Sequence, residues 1–412
     1  MRTYWQEYML ILSILYNYYQ PTQINMDKKK EIDATHANTL TYMGNKRKLI
    51  GYIDNVIDHV IEKLNKQNIT FADPFSGSGV VSKHALTSKK CSHVIANDIA
   101  SYSHFINHFN LVPLRSIELQ QQLCNLIDIA NSLPPPKSHD EWFAKHWAPK
   151  DDNHIQNGER CYFTRENALI IDAIRNFIDT DAVTDMFRPY LISLLVVQAS
   201  IHNNTNGQFA AYYKDEDGIG CFGGKKHVDL KRITGRITLP YPAFDDHNFC
   251  QCSTTITQKD VISWCNDIKK NEHTIDLVYL DPPYNKHPYS IYYFLLDIIC
   301  TWDKSVTIPD TYRGQPKNWI RSDFNSTVAA RHAIWELVSE IPAKFVALSY
   351  YSAGIVSVPE IDEMLSELGD VERHTIPHNT YKKLYGIGAY KREKEPETDG
   401  CATEYLWVLH KK

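Results

Sequence analysis

This 412-residue sequence is short of several things, and each shortage removes a class of function. The apolar stretch nearest its amino terminus, Met9–Tyr16, falls well below the roughly 20 residues a bilayer-spanning helix needs, and no small-residue cleavage site follows it. Neither a membrane anchor nor a secretory leader is therefore expected. The nine cysteines are scattered and include no C-x-x-C pair; Cys250-Gln251-Cys252 is the one close spacing. They read as unpaired thiols in a reducing cytoplasm, not as a disulfide framework. His287 and His378 lack partners at ligand spacing, and no metal is expected. Positive charge is also missing overall: the formal net charge is −5, so any nucleic-acid surface has to be a local patch on an acidic background. What remains, 43% hydrophobic and 23% charged residues, is the composition of an ordinary globular protein.

The most informative part of what is present is the run Ile275–Leu280, which stops in Asp281-Pro282-Pro283-Tyr284. A continuous β-rich apolar run reads as a buried parallel strand, and open α/β sheets bind ligands at the carboxyl ends of such strands. The prolines have fixed φ and no N–H, leaving a stiff carbonyl between a carboxylate and an aromatic face. Two acceptors beside a π surface suit a planar ring with an exocyclic NH2. Hydrogen bonds to Asp281 and to the Pro282 carbonyl would draw that nitrogen toward sp3 and free its lone pair, while Tyr284 stacks on the ring. Asp281 acts in this reading as an orienting acceptor more than a strong base. A plain strand-ending turn is the alternative at this point.

A second site lies upstream in Asp73-Pro74-Phe75-Ser76-Gly77-Ser78-Gly79. Ile69–Ala72 reads as a first strand, Gly77 and Gly79 as a tight turn, and Val80 as a helix start. The loop has the form of a nucleotide cradle but lacks the third glycine of the dinucleotide fingerprint, which disfavours NAD. The next short strand ends in Asn97-Asp98, where an acid is placed to accept from ribose hydroxyls.

Taken in order, Tyr42-Met43-Gly44-Asn45-Lys46, the Asp73–Gly79 loop, Asn97-Asp98, Gln258-Lys259-Asp260 and Asp281-Pro282-Pro283-Tyr284 resemble the Dam-like, alpha-class DNA N6-adenine methyltransferases of restriction–modification systems. The resemblance covers most of residues 38–412. It departs from the family's pattern in Tyr42, where Trp is frequent, and in Asn45, which replaces a second Gly. It implies S-adenosylmethionine as methyl donor, with Tyr42 and Lys46 near its methionine part, Asp73, Phe75, Gly77, Ser78 and Gly79 forming its loop, Asp98 on the ribose and Asp260 near the adenine. Asp281, Pro282, Pro283 and Tyr284 become the catalytic set, and double-stranded DNA with a flipped adenine the substrate. A separate restriction endonuclease is an implied partner. N4 of cytosine is the alternative target, since the same acceptors would serve it, although the leading Asp leans to adenine. A noncatalytic nucleic-acid-binding protein of the same fold is the other alternative.

Alternating strands and helices predict a doubly wound, Rossmann-like α/β sheet. The implied organisation is an extension over 1–37, a cofactor half over 38–112, a helical and loop-rich target-recognition insertion over 113–255, and a catalytic half over 256–412. The extension is either an added helix or a segment upstream of a functional start at Met26. Within the insertion, Lys225, Lys226, Lys231, Arg232 and Arg236 form a candidate phosphate patch, with a solvated charged face as the alternative. Asn203, Asn204, Asn206 and Gln208 are candidates for reading adenine edges or for a simple turn. Tyr289, Tyr292 and Tyr293 are candidate pocket walls, Tyr289 foremost, or core.

Overall fold

The computed structural model describes residues 40, 46–244, 252–271, 274–317, 321–377 and 403–412. Met9–Tyr16, Tyr42, Cys250 and His378 lie outside them. The chain enters through a 3-10 turn, Lys46–Leu49, into helix α1, Ile50–Leu64, whose Ile53, Val56, Ile57 and Val60 recur at spacings of three and four and are buried. Asn65 ends it in the left-handed region. Strand β1, Ile69–Asp73, helix α2, Val80–Thr87, strand β2, Cys91–Asn97, and helix α3, Ser101–Leu111, follow.

Next come α4, Ile117–Ser132, α5, Trp142–Trp147, α6, Arg165–Ile178, α7, Arg188–Ile201, and the short α8, Leu230–Ile233. Ser116 and Thr164 cap α4 and α6 by accepting from backbone N–H groups three residues on. The sheet resumes with β3, Ser253–Thr257, which begins inside the interval expected for the insertion. Helix α9, Val261–Lys270, then leads into β4, Ile275–Leu280. After it come α10, Tyr289–Tyr292, α11, Phe294–Thr301, α12, Ala330–Glu340, β5, Ala343–Tyr351, α13, Val358–Ser366, β6, Gly369–Pro377, and β7, Thr403–Lys411.

The described strands form one seven-stranded sheet in the order β3-β2-β1-β4-β5-β7-β6. Pairings are parallel from β3 through β5, and β7 runs antiparallel between β5 and β6. Alternation along each strand divides the apolar residues between two cores: Phe71, Leu277, Tyr279 and Phe345 on the α1–α2 face, and Ala72, Val278, Leu280 and Val346 on the α9–α12–α13 face. Because both faces are covered, the central strands are mainly apolar, with the buried Asp276 of β4 held by Lys66. The order reverses between β1 and β4, so the loops leaving these adjacent strands open side by side into the switch-point crevice. A third core joins α3 and α11 to the insertion, with Tyr102, Ile106 and Leu295 packed among Phe163, Leu191 and Leu195.

Candidate active site

The loop after β1 is shaped by three strand ends. Gly77 and Gly79 have φ of 50° and 72°, and a Cβ on Gly79 would sit 2.7 Å from Asn107 Oδ1, so conformation and space both demand glycine there. The Gly79 N–H donates to the Ser76 carbonyl at 2.7 Å, closing the turn. Asn97 clamps the neighbours: its Nδ2 donates to the Pro74 and Lys259 carbonyls, and its Oδ1 accepts from Thr257 Oγ1. Asp98 Oδ2 accepts from Gly77 N at 2.8 Å and Oδ1 from Ala100 N at 2.9 Å. Burial raises its pKa against these hydrogen bonds.

Asp73 lies beneath the turn, 1% exposed. Its Oδ2 accepts from Ser82 Oγ at 2.7 Å, while Oδ1 is buried without a hydrogen-bond partner. Burial, opposed by Ser82 and reinforced by the charges of Asp281 and Asp98, pushes its pKa up to about 7. An unfilled acceptor in a buried carboxylate marks a place for a cationic or N–H donor.

Across the switch point, Asp281 emerges from β4 facing the ammonium of Lys46, with Nζ to Oδ1 at 3.0 Å. Lys46 Nζ directs its hydrogen bond instead to Glu404 on β7, and Glu404 Oε1 accepts from Ser349 Oγ on β5 at 2.7 Å. Asp281 Oδ1 is thus buried beside a cation yet has no aligned donor. Burial lifts the Asp281 pKa to about 6, with Lys46 acting downward and Glu404 upward. Burial acts to lower the Lys46 pKa, but Asp281, Tyr279 and Glu404 hold it well above the usual lysine range. Tyr284 sits between the rings of Tyr350 and Tyr351, with centroids at 6.2 and 5.6 Å, and Lys46 Nζ lies 5.8 Å from its own centroid.

One cleft is lined by Phe75, Asp98, Asp260, Asp281, Pro283 and Tyr289 among others. Asp260 also caps α9, its Oδ1 accepting from Ile262 N and Ser263 N. The structure therefore brings Phe75, Asp98, Asp260, Asp281 and Pro283 onto one cleft, with Gly77 bonded to Asp98 and with Lys46 against Asp281 and Tyr284, outside its lining. Of the tyrosines after the Asp281–Tyr284 loop, Tyr289 reaches the cleft, Tyr293 is core, stacked at 6.3 Å against Tyr289, and Tyr292 is half-buried against the insertion.

The insertion residues separate differently. Asn203 and Asn204 are 1% and 0% exposed; their amides donate to carbonyls of Ala199, Ser200, Cys161 and Cys221, which makes them turn-builders and not base readers. Within the basic stretch, Arg232 needs correcting: its guanidinium is committed to the carbonyls of Ile201, Asn203 and Thr205 at 2.6 to 2.9 Å, because that loop offers buried acceptors that must be satisfied. Lys225 pairs with Glu216 and Arg236 with Glu166, while Lys226 and Lys231 are exposed.

Sequence reasoning passed over Glu404 and Asp297 and gave Ser349 no role of its own. Glu404 has a visible signal, a lone acid beside the apolar run Tyr405–Leu409; Asp297 is likewise an acid within an apolar helix.

A profile of the D12 class N6 adenine-specific DNA methyltransferases matches residues 42–333. The chain is 25% identical over 378 residues to the type II methyltransferase M.NlaIII of Neisseria lactamica, covering 90% of this chain and 99% of that one. It is 26% identical over 350 residues to the type II methyltransferase M.CviAII of Paramecium bursaria Chlorella virus 1, covering 84% and 93%. With the type II methyltransferase M.FokI of Planomicrobium okeanokoites it shares 24% over 387 residues, 90% of this chain and 53% of that protein. No solved structure matches.

Proposed function

The chain belongs to the D12 class of N6 adenine-specific DNA methyltransferases, and from that premise we propose that Asp281, the Pro282 carbonyl and Tyr284 hold a flipped adenine whose N6 takes a methyl group from S-adenosylmethionine. The chain is a site-specific adenine DNA methyltransferase. The residues present fit this donor. Asp73 Oδ1, buried and unpartnered, suits the methionine ammonium, the Gly77–Gly79 turn permits close backbone approach, Asp98 suits a ribose diol, and Phe75 with Asp260 borders space for the adenine. When bound, S-adenosylmethionine supplies a methyl group already activated on a sulfonium.

Paired adenine is out of reach in a duplex, so extrusion costs a few kcal/mol, which stacking on Tyr284, worth about 1–3 kcal/mol, helps offset. Asp281 Oδ1 and the Pro282 carbonyl accept the two N6 hydrogens and orient the lone pair. After N6 gains the methyl group, the resulting ammonium passes one proton to Asp281, and solvent removes it. Pro283 stiffens the backbone that aims the carbonyl. The observation that carries this reading is the placement of Asp281, at the end of β4, on the same cleft as Phe75, Asp98 and Asp260.

Asp281→Ala is expected to abolish methyl transfer while S-adenosylmethionine binding, followed by calorimetry, stays within a few-fold of wild type. Mass analysis of product nucleosides should show N6-methyladenine. Near-normal transfer by the variant, or N4-methylcytosine as product, overturns the assignment.

Exposed Lys226 and Lys231 are proposed phosphate contacts. Lys225 and Arg236 join them by exchanging surface carboxylates for phosphates, since exposed pairs are worth only about 0–1 kcal/mol. A separate endonuclease of the same specificity, in the cytoplasm, is the proposed partner, in keeping with relatives named as type II methyltransferases.

A further inference from the structure

A different group of cations stands on a loop joined to the cleft wall. Tyr312 is 48% exposed, with Lys214 Nζ 5.0 Å and the Arg313 guanidinium 5.1 Å from its ring centroid; Arg313 Nε donates to the Tyr312 hydroxyl at 2.6 Å. Lys214 also lies 5.3 Å from the Tyr212 ring. Among the described residues no carboxylate pairs with either cation. Of the two acids that follow Lys214, Asp215 accepts from Asp217 N and Ile219 N through Oδ1, and Glu216 pairs with Lys225.

Both supports are built. The loop carrying Tyr312 is latched by Arg160, which donates to the carbonyls of Pro309, Thr311 and His146 at 2.8 to 3.0 Å. Gly314, at φ 60°, lets Arg160 pass, since a Cβ there would lie 2.7 Å from its Nε. Gln315, 6% exposed, donates to the Ser290 carbonyl at 3.2 Å, so the loop is one hydrogen bond from the cleft wall. Lys214 is carried on the turn organised by buried Asn204, whose carbonyl accepts from Tyr213 N at 3.0 Å and whose Oδ1 accepts from Gly223 N at 2.9 Å.

We propose that Lys214, Tyr312 and Arg313 form a preorganised phosphate clamp that grips the DNA backbone beside the flipped adenine. This deepens the methyltransferase reading and rests on it. A tyrosine ring ordering two cations with no carboxylate partner on a net-acidic protein is complementary to a polyanion, and it removes part of the ordering cost of binding. Lys214 comes from the insertion and Arg313 from the segment after β4, so one strand of DNA would bridge both parts.

The test uses the full chain and a fluorescent duplex carrying the methylated sequence, with affinity measured across a salt series. Each phosphate contact to B-DNA contributes about 0.9 to the slope of log K against log salt, so the Lys214→Ala/Arg313→Ala double variant should lose about 1.8. Tyr312→Ala keeps both charges and should weaken binding several-fold with the slope retained. S-adenosylmethionine affinity should not change in either variant, which reports an intact fold. A double variant that binds S-adenosylmethionine normally and keeps the wild-type slope overturns the clamp. Failure of the wild-type chain to methylate any duplex would instead strike at the underlying reading, and the two failures are distinguishable.

Discussion

At the scale of single residues, the proposed reaction requires Asp281 to be ionised to accept from the amine, and its environment sets the pH at which that happens. With a pKa of about 6, the free enzyme's kcat/KM should rise as pH climbs through 6. Glu404 acts on this limb through charge and through Lys46. Removing its charge lowers the Asp281 pKa and leaves the Lys46 ammonium, already 3.0 Å from Oδ1, with Asp281 as its one carboxylate partner among the described residues. Glu404→Gln should therefore move the acid limb downward by a few tenths to about one pH unit. It should also reduce kcat more than it alters KM, because Lys46 then competes with the substrate amine for the same oxygen. A pH–rate profile checks both; an unmoved limb with normal kcat removes Glu404 from the positioning role.

At the scale of elements, two acids cap helices they do not belong to, Asp172 fully buried and Asp297 half-buried at the cleft. Asp297 on α11 accepts from Ser101 N and Tyr102 N at the start of α3, and Asp172 on α6 accepts from Phe143 N and Ala144 N in α5. Burial pushes each to about 7 from an ordinary value of 3.8, as it does Asp73. Between pH 3.8 and 7 the folded chain thus binds more protons than the unfolded chain at these sites. Their contribution to stability is therefore greatest at the acid end and falls as pH rises through 7. Asp297→Asn keeps an acceptor for α3 and removes the buried charge, so urea unfolding at pH 5 and pH 8 should show a smaller loss than in wild type. An identical pH dependence would count against this account. Elements also mark where sequence patterning was silent. The apolar strands β1, β2 and β4 are legible because both faces are buried, whereas the sheet-edge strands β3, Ser253–Thr257, and β6, Gly369–Pro377, carry mainly polar residues and no such signal. The apolar run after β4 divides into α10 and α11 at Tyr293, whose ring is buried against Tyr102 and Tyr289.

At the scale of the whole molecule, the insertion is not a detachable module. Leu191, Leu195 and Phe163 share one core with Tyr102 and Ile106 of α3 and Leu295 of α11, the helices flanking the cleft. Truncating Leu195, which is fully buried, should cost about 2–5 kcal/mol. The loss should appear in one cooperative transition that also lowers S-adenosylmethionine affinity near the midpoint. Two separate transitions, with cofactor binding surviving the first, would show that the insertion folds alone.

The sequence by itself determined the class of protein and offered two loops for its proposed chemistry. Asp281-Pro282-Pro283-Tyr284 and the Asp73–Gly79 loop are contiguous, and contiguous chemistry is visible without coordinates because strand, turn and proline stiffness are local properties. Only the tertiary structure decided what surrounds them. Lys46 and Glu404 are 358 positions apart yet share a proton donor and acceptor, and Asn203, Asn204 and Arg232, open in sequence to a role on DNA, are consumed by buried carbonyls. The physical reason is that hydrogen bonds and ion pairs are fixed by burial and distance in space. A polar residue's spacing along the chain says what it can donate or accept, but not which partner the fold leaves for it.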